Sequence, residues 1–168
     1  ICTKWCPEPG PMPFDVVQRA VDERLDCLFP ASMSAADRCI DVLHFHWWDW
    51  SDTRYVDALC HLATLQQQGK IANIALTNFD AAHVRIVVAS GLQILWNQVH
   101  CSLLDLARPA GAMYETCQDL APLQPFGQKV GLIVYGTLAG GFLTDRWLGQ
   151  PEPDLAGAGA ADGLTWMQ

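Results

Sequence analysis

Polar side chains that could take part in catalysis or binding lie at the end of each apolar stretch that the sequence predicts to be a strand. In open parallel sheets and in β/α barrels alike, sites are assembled where strands end, on the loops that follow them. We therefore expect the side chains at these strand ends to converge on one mouth. They are Lys4, His46, Thr77 with Asn78, Asn97 with Gln98, and Tyr135. Their spacing alone does not say which chemistry they perform.

Two histidines lie at the end of the apolar half of the stretch 39–52, CIDVLHFHWWDWSD. His44 and His46 are two positions apart, so on a strand they project from the same face, while Phe45 projects from the other. Imidazole suits zinc, and His44, His46 and His100 could begin the metal site of a barrel hydrolase. Such a site needs further ligands, and the stretch 131–138, GLIVYGTL, offers no carboxylate. Both histidines could equally be interior residues without a catalytic role.

The elements that position these residues alternate between strand and helix. Apolar stretches bounded by polar or turn residues predict strands at 1–5, 39–46, 71–79, 92–100 and 131–138. Helical spacing predicts helices at 14–28, from an N-cap at Ser51 or Asp52 to about 68, from an N-cap at Asp80 to 90, and loosely over 109–124. Strands and helices in this alternation require a parallel sheet with outer helices and right-handed crossovers.

The predicted fold is a partial (β/α)8 TIM barrel of the α/β class. No strand-to-helix turn carries a G-x-G-x-x-G or Walker sequence, which favours a barrel over a nucleotide-binding open sheet. A complete barrel typically has ~250 residues, and this chain has 168. We expect about five strands, within a domain at 1–149, with further strands missing before Ile1 and after Thr137. The stretch 150–168 is rich in Gly, Ala and Pro, and is expected to be irregular.

Composition narrows the class of partner and the compartment. The net charge of −8 and the absence of a Lys or Arg run argue against nucleic acid and anionic membrane surfaces. No stretch approaches the ~20 apolar residues of a transmembrane helix. Seven cysteines without a compact spacing fit free thiols in a reducing compartment. We expect a soluble cytoplasmic protein that acts on a small molecule; its oligomeric state is left open.

Five segments, in order, resemble motifs of the aldo-keto reductases. TKW at 3–5 resembles the strand with the family's active-site lysine, and IDVLHFHWWD at 40–49 resembles the segment with its active-site histidine. LTNF at 76–79 is similar to GxSNF, and WNQVHCSLLD at 96–105 to NQxxYSLLD. VYGTLAGGFLTDRWLG at 134–149 is similar to AYGPLxxGxLTGKY. The resemblance covers the chain to about Pro153, and five ordered motifs are together highly specific.

The resemblance implies a reductase of aldehydes and ketones that uses NADPH inside a barrel. Lys4 and His46 match the family's catalytic lysine and histidine. In the family a tyrosine protonates the carbonyl oxygen as hydride arrives, the lysine lowers the pKa of that tyrosine, and the histidine orients the carbonyl. This chemistry is physically reasonable, because a phenol with a pKa near ~10 is a poor acid at neutral pH without a nearby cation.

The resemblance also implies how the cofactor and substrate are held. Thr77, Asn78 and Gln98 match the side chains that bind the nicotinamide carboxamide, and Tyr135 matches the aromatic on which the nicotinamide ring stacks. A glycine-containing loop after the last strand lies where the family contacts the pyrophosphate. The cofactor-binding residues implied there are Gly136, Thr137, Leu138 and Gly140. Trp47 and Trp48 would line the substrate mouth, although they could simply cap the barrel.

The sequence also departs from the family pattern. The family's catalytic tyrosine and aspartate belong to strands and loops that would precede Ile1, and its basic segment for the adenosine 2′-phosphate is replaced by a Gly and Ala tail. We therefore expect this chain to lack reductase activity by itself, and to bind NADPH weakly with little preference over NADH. A five-strand arc also has two open edges. A non-catalytic binding or scaffold domain is a further alternative.

Overall fold

The computed structural model describes residues 1–106 and 130–151. In this part of the chain, strands alternate with helices as predicted. The strands are β1 Cys2–Trp5, β2 Ile40–His46, β3 Ile71–Thr77, β4 Trp96–His100 and β5 Gly131–Tyr135. The helices are α1 Phe14–Leu28, α2 Tyr55–Gln67, α3 Ala81–Ala89 and α4 Leu103–Leu106, with short 3-10 helices at Ala35–Asp37, Ala139–Gly141 and Asp145–Trp147.

The described strands form one parallel sheet in chain order, β1-β2-β3-β4-β5. Parallel neighbours need a crossover connection, and α1, α2 and α3 supply the first three. The predicted α/β class with five parallel strands and outer helices is thereby confirmed. A doubly wound sheet reverses its strand order part-way along, whereas a β/α barrel does not. The strand order is therefore that of an arc of a barrel.

The hydrophobic core lies between one face of the sheet and the helices. β2 and β3 contribute the fully buried residues Leu43, Phe45, Ile74 and Leu76. The helices present apolar stripes at helical spacing. These stripes are Val17, Val21 and Leu25 of α1, Ala58, Leu59, Leu62 and Leu65 of α2, and Val84, Val87 and Val88 of α3. Each large side chain buried here contributes roughly 1.5 to 3 kcal/mol, so this layer holds the sheet in place.

The opposite face of the sheet carries the polar strand-end residues. Register pairs Lys4 with His44, His46 with Thr77, and Thr77 with Gln98. Paired residues of neighbouring strands project to the same side, and so do residues two apart on one strand. Lys4, His44, His46, Thr77 and Gln98 therefore share one face. Tyr135 joins them, because it pairs with His100, two positions after Gln98.

The helix starts agree with the sequence for α3 and disagree for α2. Asp80 caps α3 as predicted, since its carboxylate accepts a 2.8 Å hydrogen bond from the backbone N–H of His83. The predicted cap of α2 at Ser51 or Asp52 is wrong, because the helix begins at Tyr55 after Arg54. The Asp52 carboxylate instead accepts from the backbone N–H and the guanidinium of Arg54, at 3.0 and 2.7 Å. It therefore stabilises the turn before the helix.

Three strands are shorter than predicted by two residues or more, and β5 ends at Tyr135, before the predicted end at Leu138. β3 ends at Thr77, because Asn78 has a left-handed backbone with φ of 57°. β4 begins only at Trp96, and Leu92 and Ile94 before it are buried in the core as part of the connection. The helical region predicted at 109–124 lies outside the described residues, as does most of the predicted tail, from 152 onward.

The described sheet has an exposed edge at each end, as predicted for an arc. The carbonyl of Lys4 in β1 accepts a 3.2 Å hydrogen bond from Nε of Arg24, which protects one position of the first edge. Leu132, Ile133 and Val134 of β5 are each more than a third exposed. Over the ranges 1–106 and 130–151, none of the helices combines the length and apolar character needed to cross a membrane.

Candidate active site

The site lies on the concave face of the sheet, where side chains from distant strands meet. Nζ of Lys4 in β1 donates a 2.9 Å hydrogen bond to Oε1 of Gln98 in β4. Two strands lie between β1 and β4, so in a flat sheet these backbones would be about 14 Å apart, at ~4.8 Å per strand. The contact is possible because the sheet is strongly curved. The curvature brings the first and fourth strands to one mouth.

Asn78 connects the middle of this mouth to its far side. Its backbone N–H donates to the carbonyl of Gln98 at 2.8 Å, and its side-chain Nδ2 lies 3.4 Å from Nε2 of His46. The phenol of Tyr135 donates to Oδ1 of Asn78 at 3.1 Å. Asparagine tolerates the left-handed backbone better than most residues. That conformation ends β3 and turns the amide between His46 and Tyr135.

The electrostatics of the mouth favour neutral histidine. Burial lowers the pKa of His46, and the positive charge of Lys4 lowers it further. The same two causes lower the pKa of His44, while a hydrogen bond with the backbone of Leu76 opposes them. A neutral imidazole can accept at one ring nitrogen. Nε2 of His46 is then the acceptor for Asn78 Nδ2, and its proton lies on Nδ1.

Thr77 lies below the polar layer formed by His46, Asn78, Gln98 and Tyr135. Its side chain is only 1% exposed, and its Oγ1 is 3.3 Å from Nδ1 of His44. Nε1 of Trp96 donates to the other ring nitrogen of His44 at 3.1 Å. Neither Trp96 nor this contact was predicted from the sequence. Trp96 is two residues before Gln98, so the alternation of strand side chains places it on the concave face.

The structure separates the two tryptophans predicted to line the substrate mouth. Trp47 is fully buried in the core, and its indole N–H donates to the carbonyls of Asp49 and Asp52, at 2.6 and 3.1 Å. Its place at the mouth is therefore corrected, because it projects to the helix side together with Phe45. Trp48 is 53% exposed, so it has the accessible ring that contact with a substrate requires.

Asn97 also projects to the helix side. It is completely buried, and its amide donates to the carbonyl of Phe79 at 2.7 Å and accepts from the N–H of Phe79 at 3.4 Å. It therefore fixes the backbone after β3 and is not available at the mouth. Of the neighbouring pair, only Gln98 takes part in the site.

The loop after β5 begins with a glycine that the structure requires. Gly136 has φ of 72°, and a Cβ at this position would overlap the imidazole of His100. Gly140 is also left-handed, with φ of 65°. Thr137 and Leu138 lie between them and are exposed. The loop thus presents backbone at the mouth where side chains would obstruct a ligand.

The described residues give no support to the metal-hydrolase alternative. Both ring nitrogens of His44 have partners, in Thr77 and Trp96. Nε2 of His46 faces Asn78. Within 1–106 and 130–151, no group of three or more His, Cys, Asp or Glu side chains is arranged to hold a metal ion.

The strand order and the concave polar mouth are those of a β/α barrel. A family model described as "Aldo/keto reductase family" matches residues 1–156. The chain therefore belongs to the aldo/keto reductase family, as its five motifs indicate. A comparison with curated protein sequences found no match.

Solved aldo-keto reductase structures are similar to the chain in fold. For the holo form of an aldo-keto reductase from Bacillus halodurans, the TM-score is 0.64 and the identity 20%, over 93% of this chain and 46% of that one. For glycerol dehydrogenase from Gluconobacter oxydans, the TM-score is 0.58 and the identity 18%, over 89% of this chain and 40% of that one. For an aldo-keto reductase from Bombyx mori in complex with NADP, the TM-score is 0.56 and the identity 20%, over 92% of this chain and 46% of that one. The chain spans about half the length of these structures.

Proposed function

We propose that this chain provides the nicotinamide side of an NAD(P)H-dependent carbonyl reductase, which converts aldehydes or ketones to alcohols. The observation that carries the proposal is the convergence of Lys4, His46, Asn78, Gln98 and Tyr135 on one concave mouth, although they come from five separate strand ends. Membership of the aldo/keto reductase family supports the same reaction.

The residues present fit a nicotinamide ring. Its carboxamide has one acceptor and two donors, which complement the side-chain amides of Asn78 and Gln98. Tyr135 is half-buried beside them and offers a flat apolar surface for stacking. Gly136 and Gly140 expose backbone where a pyrophosphate would pass. When bound, the cofactor supplies the hydride.

Binding of a carboxamide exchanges hydrogen bonds that the mouth already makes. Asn78 has to release Tyr135 and His46, and Gln98 has to release Lys4. The exchange leaves Nε2 of His46 and the ammonium of Lys4 directed into the mouth. His46 can then orient a carbonyl oxygen, and Lys4 can lower the pKa of an acidic group placed beside it. Trp48 is the accessible aromatic surface for the substrate.

Proton donation is the step for which we assign no residue of the described part of the chain. The sequence has three tyrosines, at 55, 114 and 135. Tyr55 is buried on α2, and burial followed by the charge of Asp80 raises its pKa, which makes it a weaker acid. Tyr135, whose O–H donates a hydrogen bond to Oδ1 of Asn78, is assigned to stacking on the nicotinamide ring, and Tyr114 lies outside the described residues. We accordingly propose that the 168-residue chain does not turn over a carbonyl substrate by itself.

We also propose that the protein acts in the cytoplasm. Cys2, Cys6, Cys27, Cys39, Cys60 and Cys101 are free thiols. Reduced cysteines and a reducing cofactor both fit the cytoplasm.

Calorimetric titration of the chain with NADH tests the proposed cofactor site. Gln98→Ala removes about two neutral hydrogen bonds to the carboxamide, so its dissociation constant is expected to rise roughly 5- to 100-fold. Gln67→Ala is the matched control, because Gln67 is exposed at the end of α2, and its affinity should equal that of the wild type. Equal affinity of both variants would contradict the assignment of Gln98. NADPH-dependent turnover of an aldehyde by the chain, abolished by His46→Ala, would contradict the proposed inactivity.

A further inference from the structure

We propose that His44 is a positioning residue of the candidate site: with its proton on Nδ1, it binds Trp96 and Thr77 at once and thereby sets Asn78 against His46. The expected effect of His44 on cofactor binding rests on the proposed function. The arrangement of the imidazole itself can be measured without any ligand.

The indole of Trp96 determines where the proton of His44 lies. An indole N–H is a donor only, and Nε1 of Trp96 is 3.1 Å from Nε2 of His44. Nε2 must therefore accept, which leaves the single proton of the neutral ring on Nδ1. Nδ1 faces Oγ1 of Thr77 at 3.3 Å, so its proton is directed to that hydroxyl, and the backbone of Leu76 in the same strand is a second acceptor for the ring. One side chain of β2 thus joins β4 and the last residue of β3.

The hydrogen bonds of His44 with Trp96 and Thr77 matter for stability because His44 and Thr77 are buried. His44 is 8% exposed, and Thr77 is 1% exposed. A buried polar group that loses its hydrogen-bond partner destabilises the fold, because water cannot replace the lost bond. The trio is therefore held in one arrangement. It lies directly below the polar layer, because His44 precedes His46 by two residues and Trp96 precedes Gln98 by two.

The position of Asn78 depends on Thr77, which immediately precedes it. The left-handed backbone of Asn78 follows the end of β3 without an intervening residue, so a rotation at Thr77 moves the amide. The distance from Asn78 Nδ2 to His46 Nε2 is 3.4 Å, near the outer limit of a hydrogen bond. A shift of a few tenths of an ångström would break this contact. His44 therefore controls the geometry of a layer that it does not itself reach.

Protonation of His44 would dismantle this arrangement. An imidazolium cannot accept from Trp96, because both of its nitrogens then carry protons. The titratable groups facing His44 are Lys4 from β1 and His46 on β2. From β3 and β4 the facing residues are Ala75, Thr77 and Trp96, which carry no titratable group near neutral pH. Burial and Lys4 both keep the ring neutral, so the positioning operates at pH 7 and is lost in acid.

Nuclear magnetic resonance of the 15N-labelled chain tests the arrangement directly. Long-range 1H–15N correlations of the imidazoles should show His44 as the Nδ1–H tautomer in the wild type. Trp96→Phe keeps an aromatic ring but removes the donor, so Nε2–H should then become populated. An Nε2–H tautomer or a charged His44 in the wild type at pH 7.5 would overturn the proposal.

A pair of His44 variants tests the positioning. His44→Gln can accept from Trp96 and donate to Thr77, so the side-chain amide resonances of Asn78 and the NADH dissociation constant should stay within about twofold of wild type at pH 7.5. His44→Leu can do neither, so it should shift those resonances and weaken NADH binding by roughly 10-fold. Where His44→Leu does not fold, Thr77→Val removes the same contact and replaces it in the test.

The outcomes separate this proposal from the proposed function. If the wild type does not bind NADH, the proposed cofactor site is wrong, and the Asn78 resonances alone decide whether His44 positions that residue. A folded His44→Leu with wild-type Asn78 resonances overturns the positioning role. The affinity of His44→Gln should also fall less than that of the wild type between pH 7.5 and 5.5, since glutamine does not titrate. Equal losses would show that His44 has no part in the acid sensitivity.

Discussion

Lys4 and Gln98 are 94 residues apart in sequence, yet Nζ of one donates to Oε1 of the other across two intervening strands. This hydrogen bond joins the start of the described sheet to its fourth strand. It also holds the ammonium of Lys4 near His44 and His46, whose pKa values are lowered by burial and further by this charge. The curvature of the sheet, the charge of the mouth and the position of the carboxamide-binding residues therefore depend on one another.

Replacing Lys4 by Met should raise the pKa of His46. Burial is the larger cause of its depression and stays, while the charge of Lys4 is removed. Proton chemical shifts of the His46 ring against pH measure the change. Lys70→Met is the control, since Lys70 precedes β3 at the amino end of the sheet, away from the mouth. An unchanged His46 titration in Lys4→Met would contradict the proposed electrostatic contact.

Lys4→Met should also lose less stability in acid than the wild type. Because the folded-state pKa of His46 is depressed, the unfolded chain binds protons that the folded chain does not. Stability is then fully present above the ordinary histidine pKa of ~6.5 and falls as the pH drops below it. Raising the folded-state pKa in Lys4→Met reduces this fall. Urea unfolding at pH 7.5 and 5.5 gives the slope for both proteins, and a steeper slope in the variant would refute the reasoning.

Gly136→Ala should destabilise the fold more than Gly149→Ala. Both glycines are left-handed, with φ of 72° and 71°, so each alanine costs about 1 to 2 kcal/mol of backbone strain. A Cβ on Gly149 would meet open space, whereas on Gly136 it would overlap the His100 ring. The overlap adds roughly 1 to 3 kcal/mol. Urea denaturation measures the difference, and equal unfolding free energies would show that His100 does not pack on Gly136.

NADPH should bind weakly and with little preference over NADH. The sequence has a Gly and Ala tail where the family has its basic segment for the adenosine 2′-phosphate. Charge-assisted contacts to phosphate contribute about 1.5 to 3 kcal/mol each, so a site that lacks two of them binds NADPH roughly 10² to 10⁴-fold more weakly. The chain has a net charge of −8. Paired calorimetric titrations with NADPH and NADH test the expectation. A micromolar NADPH complex clearly favoured over NADH would reveal a phosphate site, and Arg146, which lies over the ring of Trp147 at 5.3 Å, is the first residue to replace.

Local periodicity predicted the elements more reliably than it predicted the site. Apolar residues at helical spacing, among them Val17, Val21 and Leu25, predicted a helix from Phe14 to about Leu28, and α1 has these bounds, since a helix with one apolar face has a regular repeat. The start of α2 was missed because Asp52 has two possible partners, and the turn before the helix prevails over the helix cap.

The errors at the site have two different causes. Trp47 and Asn97 lie on the helix side, and the alternation of strand side chains was a sufficient signal, because Trp47 is two residues after Phe45 and Asn97 is adjacent to Gln98. The contact between His44 and Trp96 could not be predicted in this way. It joins β2 to β4 across β3, so it depends on curvature, which a strand pattern does not encode.

Saturation-transfer NMR with NADH can show whether the chain contacts the nicotinamide half of the cofactor. Protein protons are irradiated, and the transfer to each cofactor proton reports its proximity to the chain. We expect the strongest transfer at the nicotinamide ring protons, weak transfer at the adenine protons, and loss of the nicotinamide signal in Gln98→Ala but not in Gln67→Ala. Strongest transfer at adenine, or a nicotinamide signal unaffected by Gln98→Ala, would show that the mouth with Gln98 is not the nicotinamide site.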